Sequence, residues 1–272
     1  MTDIELKGEV FLALHRRDGA FIMPNPWDVG SARMLHALGF EALATTSAGF
    51  AHSLGCRDGG VTLAQKIAHC TALAAATPLP LSADLENGFA DSPEAVARNV
   101  LAVAASGIVG ASIEDFTGNP AKPIYEFTLA VERVRAVAEA VHGLPYPFAL
   151  TARAENLLRG ARDLDDTVRR LVAYTDAGAD VLFAPGLSTL EEVRAVAAAV
   201  NRPLNVLAPM VKGVSVAELA AVGVKRISVG GSLARAAATA FLRAAQSLHE
   251  SGSLEWTTGL ASLGEIETLL MS

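Results

Sequence analysis

The chain has 272 residues, 51% hydrophobic and 19% charged, with a net charge of −7. That is enough apolar material for one large core in the α/β-barrel size class. It shows no basic patch interleaved with aromatics, no apolar run long enough to span a bilayer, and a polar start (Met1-Thr2-Asp3-Ile4-Glu5-Leu6) unlike a signal peptide, so neither nucleic acid nor membrane is expected as a partner. Cys56 and Cys70 have no metal-type spacing, and a reducing, cytoplasmic setting is the expectation.

In chain order, residues 2–17 read as an amphipathic helix with Leu6, Val10 and Leu14 on one face. Eight rounds of one pattern follow: a short apolar segment, a loop with Gly, Pro or acid, and a helix-period stretch. The predicted strands are 20–23, 42–45, 79–83, 110–113, 148–152, 181–184, 204–207 and 226–229. Helical stretches between them include 93–106, 129–141, 164–177 and 190–200. Gly39, Gly107, Gly178 and Gly223 stand where a glycine ends a helix just before a strand. Such alternation means parallel pairing through right-handed crossovers. Eight rounds in this length predict a closed (β/α)8 TIM-type barrel, and no GxGxxG follows the first strand to argue for a dinucleotide fold. Nothing divides the chain, so 1–272 is read as a single domain.

Barrel sites lie at the C-terminal ends of strands. The richest end is the third, Asp84-Leu85-Glu86-Asn87-Gly88. At period two its carboxylates share a side if the strand continues that far, and they repel unless a cation or proton lies between them. Glu114-Asp115 repeats the theme after the fourth strand. An oxygen-only cluster suits a hard divalent ion such as Mg2+. The fifth strand ends in Arg153, with Glu155 and Asn156 following; Glu155 is read as the partner that keeps Arg153 in place. Arg153 has the fork geometry for a carboxylate. Arg159 and Arg162 are expected on the outer surface, and Cys56 as a packing residue.

Taken in order, Pro24-Asn25-Pro26-Trp27-Asp28, Thr46-Ser47-Ala48-Gly49, Leu54-Gly55-Cys56-Arg57-Asp58, Asp84-Leu85-Glu86-Asn87-Gly88, Gly110-Ala111-Ser112-Ile113-Glu114-Asp115 and Thr151-Ala152-Arg153 resemble the isocitrate lyase / phosphoenolpyruvate mutase superfamily. The resemblance runs from about the first strand to the eighth. It implies a barrel, often with its last helix swapped between subunits, assembled as a dimer or tetramer. It also implies Mg2+ (or Mn2+) and a small 2-oxo acid or dicarboxylate reacting through its enolate. By the same resemblance Asp84 is the direct metal ligand, while Glu86 and Glu114 hold the ion's waters. Asp58 approaches substrate and metal, Arg153 binds a carboxylate, and Thr46, Ser47 and Ala48 cradle the oxo-acid end. One segment departs from the pattern. The superfamily's lyases carry a catalytic Cys in a Lys-Lys/Arg-Cys-Gly-His loop, and here 116–125 has neither Cys nor His. Phe116 stands where the mutases have Lys, and Asn119 and Lys122 are the stand-ins. Water, His52 or Tyr125 are left as proton sources.

Residues 232–247 read as an Ala-rich helix, and Leu254, Trp256, Leu260, Leu263, Ile266, Leu269 and Leu270 beyond it need a surface to bury against. A subunit interface over 233–272 is the expectation. The expected activity is Mg2+-dependent cleavage or rearrangement of a C–C or P–C bond beside a 2-oxo acid. The alternative is a non-catalytic dicarboxylate-binding barrel that retains the metal site. A weaker reading is a phosphate site at Gly230-Gly231-Ser232.

Overall fold

The structure, a computed structural model, describes residues 1–271; Ser272, the last residue of the expected interface stretch, lies outside them. The described chain begins with helix α1 (Asp3–Arg16) and strand β1 (Phe21–Met23). It continues through α2 (Val29–Ala37), β2 (Leu43–Ala44), α3 (Ser47–Ser53), α4 (Leu63–Ala76), β3 (Leu81–Asp84), α5 (Pro93–Ala104), β4 (Gly110–Glu114) and α6 (Phe127–His142). Then come β5 (Ala149–Arg153), α7 (Leu164–Asp176), β6 (Val181–Phe183), α8 (Leu190–Ala199), β7 (Leu204–Leu207), α9 (Val216–Ala221), β8 (Arg226–Ser228), α10 (Ser232–Ser251) and α11 (Leu263–Met271).

These eight strands form one parallel sheet in the order β1-β8-β7-β6-β5-β4-β3-β2. A hydrogen bond from Ala44 N to Pro24 O (3.1 Å) draws the β2 and β1 edges together. This is the (β/α)8 barrel that the alternation predicted. The four helix-ending glycines have φ of +85°, +92°, +104° and +97°, the left-handed conformation that such a stop requires. The main core lies between sheet and helices: Val96, Val100 and Val103 of α5 and Val134, Val137 and Val141 of α6 pack with Leu81, Ile113 and Leu150 of the strands.

Helix α1 packs across the strand starts. A capping box between Thr2 and Glu5 begins it, and Phe11, Leu14 and His15 bury against Phe21, Val109 and Ala149. Gly8 lets it approach closely, since a Cβ there would fall 2.4 Å from Pro147 O. The interior of the barrel is polar. Thr45, Ser82, Ser112, Thr151, Asn205, Arg226 and Ser228 are all buried, where branched apolar layers are usual. At the other end of the chain, α11 lies against α2, while α10 has no buried residue. Among the described residues no helix is long and apolar enough to cross a membrane.

Candidate active site

A cavity of about 190 Å³ opens at the C-terminal ends of the strands. Thr46, Ser47, Ala48, Asp58, Asp84 and Arg153 all line it, so residues from three strand ends and one loop meet as expected. Gly230 and Gly231 complete the rim. Asn25 holds that glycine turn: its Oδ1 accepts from Val229 N (3.0 Å) and Gly230 N (2.8 Å), and its Nδ2 donates to Thr45 O (3.2 Å).

Asp84 accepts three hydrogen bonds. Its Oδ1 accepts from Arg153 Nη1 (3.0 Å) and Glu86 N (3.3 Å), and its Oδ2 from Ser47 N (3.2 Å). Burial pushes its carboxyl up, but Arg153, then Lys66, and the two backbone amides outweigh this and hold it below the ordinary range. Thr45 Oγ1 accepts from Asp84 N (2.9 Å), and Thr46 Oγ1 caps α3 by accepting from Gly49 N (3.2 Å).

Glu86 does not share a strand face with Asp84. Strand β3 stops at Asp84, and Glu86 has φ +52°, a left-handed conformation rare outside glycine. Its Oε1 is buried without a hydrogen-bond partner. Burial and then Asp84 raise its carboxyl to about 7. Such strain around an unsatisfied carboxylate is a mark of a functional segment. Glu114, the last residue of β4, turns to Arg153, whose Nη2 lies 3.0 Å from its Oε2, while Asp115 turns away to Tyr174 (2.7 Å) and Arg170 (3.2 Å). Burial drives the Glu114 carboxyl well above its ordinary value despite Arg153.

Arg153 is saturated by acids: besides Asp84 and Glu114 it donates through Nη2 to Glu155 Oε1 (2.6 Å), and its guanidinium lies over the Phe183 ring. Glu155 is the orienting partner that the sequence indicated. Arg159 is exposed, as expected, but its guanidinium also reaches the site: it lies 3.1 Å from Glu155 Oε2, 3.7 Å from Glu114 Oε1, and over the Phe116 ring at 3.6 Å. The turn after β5 carries it back over the strand end, a placement that no sequence period reports. Arg162 does lie outside, paired with Glu192 (2.6 Å).

Asn119 is not brought to the cavity. Residues 116–124 close on themselves through the Phe116–Ile124 bridge, and Asn119 Oδ1 accepts from Ala121 N (2.9 Å) in an exposed turn. Tyr125 donates its hydroxyl to Asp91, away from the cavity lining, and His52 is exposed. Two cations escaped the sequence reading. Lys66 is fully buried on α4, its Nζ over the Phe50 ring at 5.6 Å and without a hydrogen bond, and its charge acts on both Asp84 and Glu86. Its signal was a Lys in register with Cys70 and Leu73 on the apolar face. Arg226 lines the cavity floor. Its signal was a charge inside an otherwise apolar strand segment.

The oxygen donors fit a hard divalent ion. Asp84 faces the cavity and Glu86 keeps an unclaimed buried oxygen, while Arg153 and Lys66 supply positive charge beside them. Among the described residues no three His, Cys, Asp or Glu side chains are gathered closely enough to hold a metal ion by themselves.

Residues 11–249 match the phosphoenolpyruvate phosphomutase family, so the chain belongs to that family, within the isocitrate lyase / phosphoenolpyruvate mutase superfamily of lyases and mutases. Over 257 residues it is 34% identical to an uncharacterized protein of Mycobacterium tuberculosis, covering 93% of this chain and 94% of the relative. It is 30% identical to the oxaloacetate decarboxylase of Rhodopseudomonas palustris over 74% of this chain and 70% of that one. Among solved structures, a Burkholderia cenocepacia protein described as a lyase/mutase superposes with a TM-score of 0.96 at 51% identity, covering 99% and 97% of the two chains.

Proposed function

We propose that this chain is an enzyme dependent on Mg2+ or Mn2+ that cleaves or rearranges a bond beside the oxo group of a small 2-oxo acid through an enolate. C–C lysis or decarboxylation stands ahead of P–C chemistry. The observation that carries the reading is the convergence of Asp84, Arg153 and the Thr46-Ser47-Ala48 turn on one cavity. Asp84, Glu86 and Glu114 would hold the ion. When bound, it supplies Lewis acidity to the oxo and carboxylate oxygens and so favours the enolate. Ser47 and Ala48 orient the oxo-acid end. Arg153, beside Asp84 at the cavity, would bind a substrate carboxylate. Asp58, exposed at the mouth, would approach the substrate and the ion. Asn119 contributes only after its turn moves inward.

A second reading, a dicarboxylate-binding barrel without turnover, draws on a specific observation. The segment that supplies the acid in the lyases here carries Phe116 stacked on Arg159. We also assign a homo-oligomeric state built on α10 and the residues after it, because α10 buries nothing within its own chain. A cytoplasmic location goes with the free cysteines.

The deciding experiment measures pyruvate or glyoxylate release from oxaloacetate, 2-methylisocitrate, dimethylmalate and phosphonopyruvate, with Mg2+, with chelator, and with Asp84→Ala. Metal-dependent turnover of one compound, reduced by at least ~100-fold in the variant, is the expected outcome. Absence of turnover with Mg2+-dependent oxalate binding intact favours the binding barrel. No metal-dependent oxalate binding at all refutes the Asp84 site.

A further inference from the structure

The chemistry proposed above leaves one buried charge unused. Arg226 rises from β8 into the barrel and is 2% exposed. Its Nε donates to Asn205 Oδ1 (2.9 Å) and its Nη2 to Thr151 Oγ1 (2.9 Å). Its Nη1 lies 3.3 Å from His15 Nε2. His15 Nδ1 stands 2.8 Å from Phe11 O, so the ring proton belongs on Nδ1 and Nε2 accepts. Burial, and then Arg226, lowers His15 to about 3, which keeps the ring neutral. Every partner of Arg226 among the described residues is therefore neutral. No acid acts on it, and burial alone lowers it to about 9.

The other buried arginines are satisfied differently. Arg153 has three carboxylates, Arg170 has Asp115 and Asp166, and Arg133 points at the carbonyls of Asn87, Ala90 and Asp91. Arg226 has none of these. A buried ion without a counter-ion is costly, and a guanidinium offers five N–H groups where the protein uses three.

Its surroundings show what could balance it. Arg226 lines the same cavity as Asp84 and Ser47, and Asn205, Ser228, Ser82 and Ser112 line it too. A cavity of about 190 Å³ is roomy enough for several waters or a small ligand in their place. The cavity therefore has an acid-and-amide end at Asp84 and Ser47 and a cationic, hydroxyl-lined end inside the barrel.

We propose that Arg226, with Asn205 and Ser228, forms a carboxylate subsite at the cavity floor for the distal acid group of a 2-oxo diacid. This rests on the 2-oxo acid reading and narrows it to substrates with a second carboxylate. Arg226 here acts as a specificity residue. Arg153, already claimed by three acids, is left to the reacting end.

The test is calorimetric titration, with Mg2+ present, of oxalate, pyruvate, and the 2-oxo diacids of four, five and six carbons. The proteins are wild type, Asn205→Asp and Arg226→Met. Asn205→Asp gives Arg226 a resident carboxylate at almost unchanged shape, so it folds even where Arg226→Met does not. At least one diacid should bind the wild type tenfold or more tightly than pyruvate. In Asn205→Asp that advantage should vanish, while oxalate, too short to span both ends, stays within twofold. A diacid advantage that survives in Asn205→Asp overturns the subsite and leaves Arg226 a strut between β8, β7, β5 and α1. Oxalate binding with no diacid advantage in the wild type overturns it as well. Failure of oxalate itself to bind the wild type overturns the 2-oxo acid reading, and the subsite with it.

Discussion

Arg153 is held by three carboxylates before any ligand arrives, and Glu155 is the one that cannot be spared. Glu155 is fully buried and accepts from both Arg153 and Arg159. Neutralising it leaves two guanidinium groups short of an anion, and breaking such a buried pair costs about 3–5 kcal/mol. Glu155→Gln should lower the urea midpoint accordingly; a loss under ~1 kcal/mol would mean that water already screens the cluster. His15 gives a pH dependence with a definite sign. Its folded value, about 3, lies below the ordinary 6.5, so between those pH values the unfolded chain binds the extra proton. Its contribution is complete above pH 6.5 and lost as pH falls toward 3. Between pH 7 and 5 the loss is about 2 kcal/mol, from ~1.36 kcal/mol per pH unit below 6.5. His69, lowered to about 4 by burial, acts in the same direction. Unfolding free energies at pH 7 and 5 should show the decline, and His15→Gln should remove its own share of it.

Helix α1 and the 85–89 turn show two kinds of local constraint. At Gly8, propensity and packing disagree. Alanine is worth roughly 1 kcal/mol to a helix interior, but its Cβ would sit 2.4 Å from a backbone oxygen of Pro147. Backbone cannot yield as a side chain can, so packing wins. Gly8→Ala should destabilise by about 1–3 kcal/mol in thermal or urea unfolding. A stabilised variant would mean that α1 moves freely on the strand starts. The 85–89 turn puts Glu86 and Phe89 at φ +52° and +58°, with Gly88 between them at +73°. Strand β3 is thus cut off at its acid, and the second carboxylate is delivered from a turn. The strand ends were legible because apolar runs stop abruptly at polar residues. Glu114 and Asp115 read in the sequence as one acidic pair, and the structure turns them to opposite sides. The turn geometry at Glu86 was not legible, because Asp-Leu-Glu-Asn-Gly has no period to read once the ladder ends.

For the molecule as a whole, the outstanding feature is an apolar C-terminal face. Phe241 is 71% exposed, Leu260 62% and Leu254 60%, beside the half-buried edge of Trp256 at 38%. Phe241, Leu248, Trp256 and Leu260 line one concave apolar surface. Contiguous apolar surface of this kind marks an interface. Light scattering at micromolar concentration should give a mass above that of one 28.2 kDa chain, and Phe241→Asp should lower it. A monomer at all concentrations would refute the assembly.

The barrel, its strand limits to within a residue or two, and the polar strand ends were decided by the sequence alone, because alternation of burial and helix-ending glycines are local. So was the pairing of Arg153 with Glu155, two residues apart on one strand end. The return of Arg159 over Glu114, the turning away of Asn119 and Tyr125, the buried Lys66 and the uncompensated Arg226 were decided only by the tertiary structure. Each depends on which distant side chain fills the neighbouring space. Thr151, Asn205, Arg226 and His15 are spread over most of the chain and meet only when the sheet closes into a barrel with α1 beneath it.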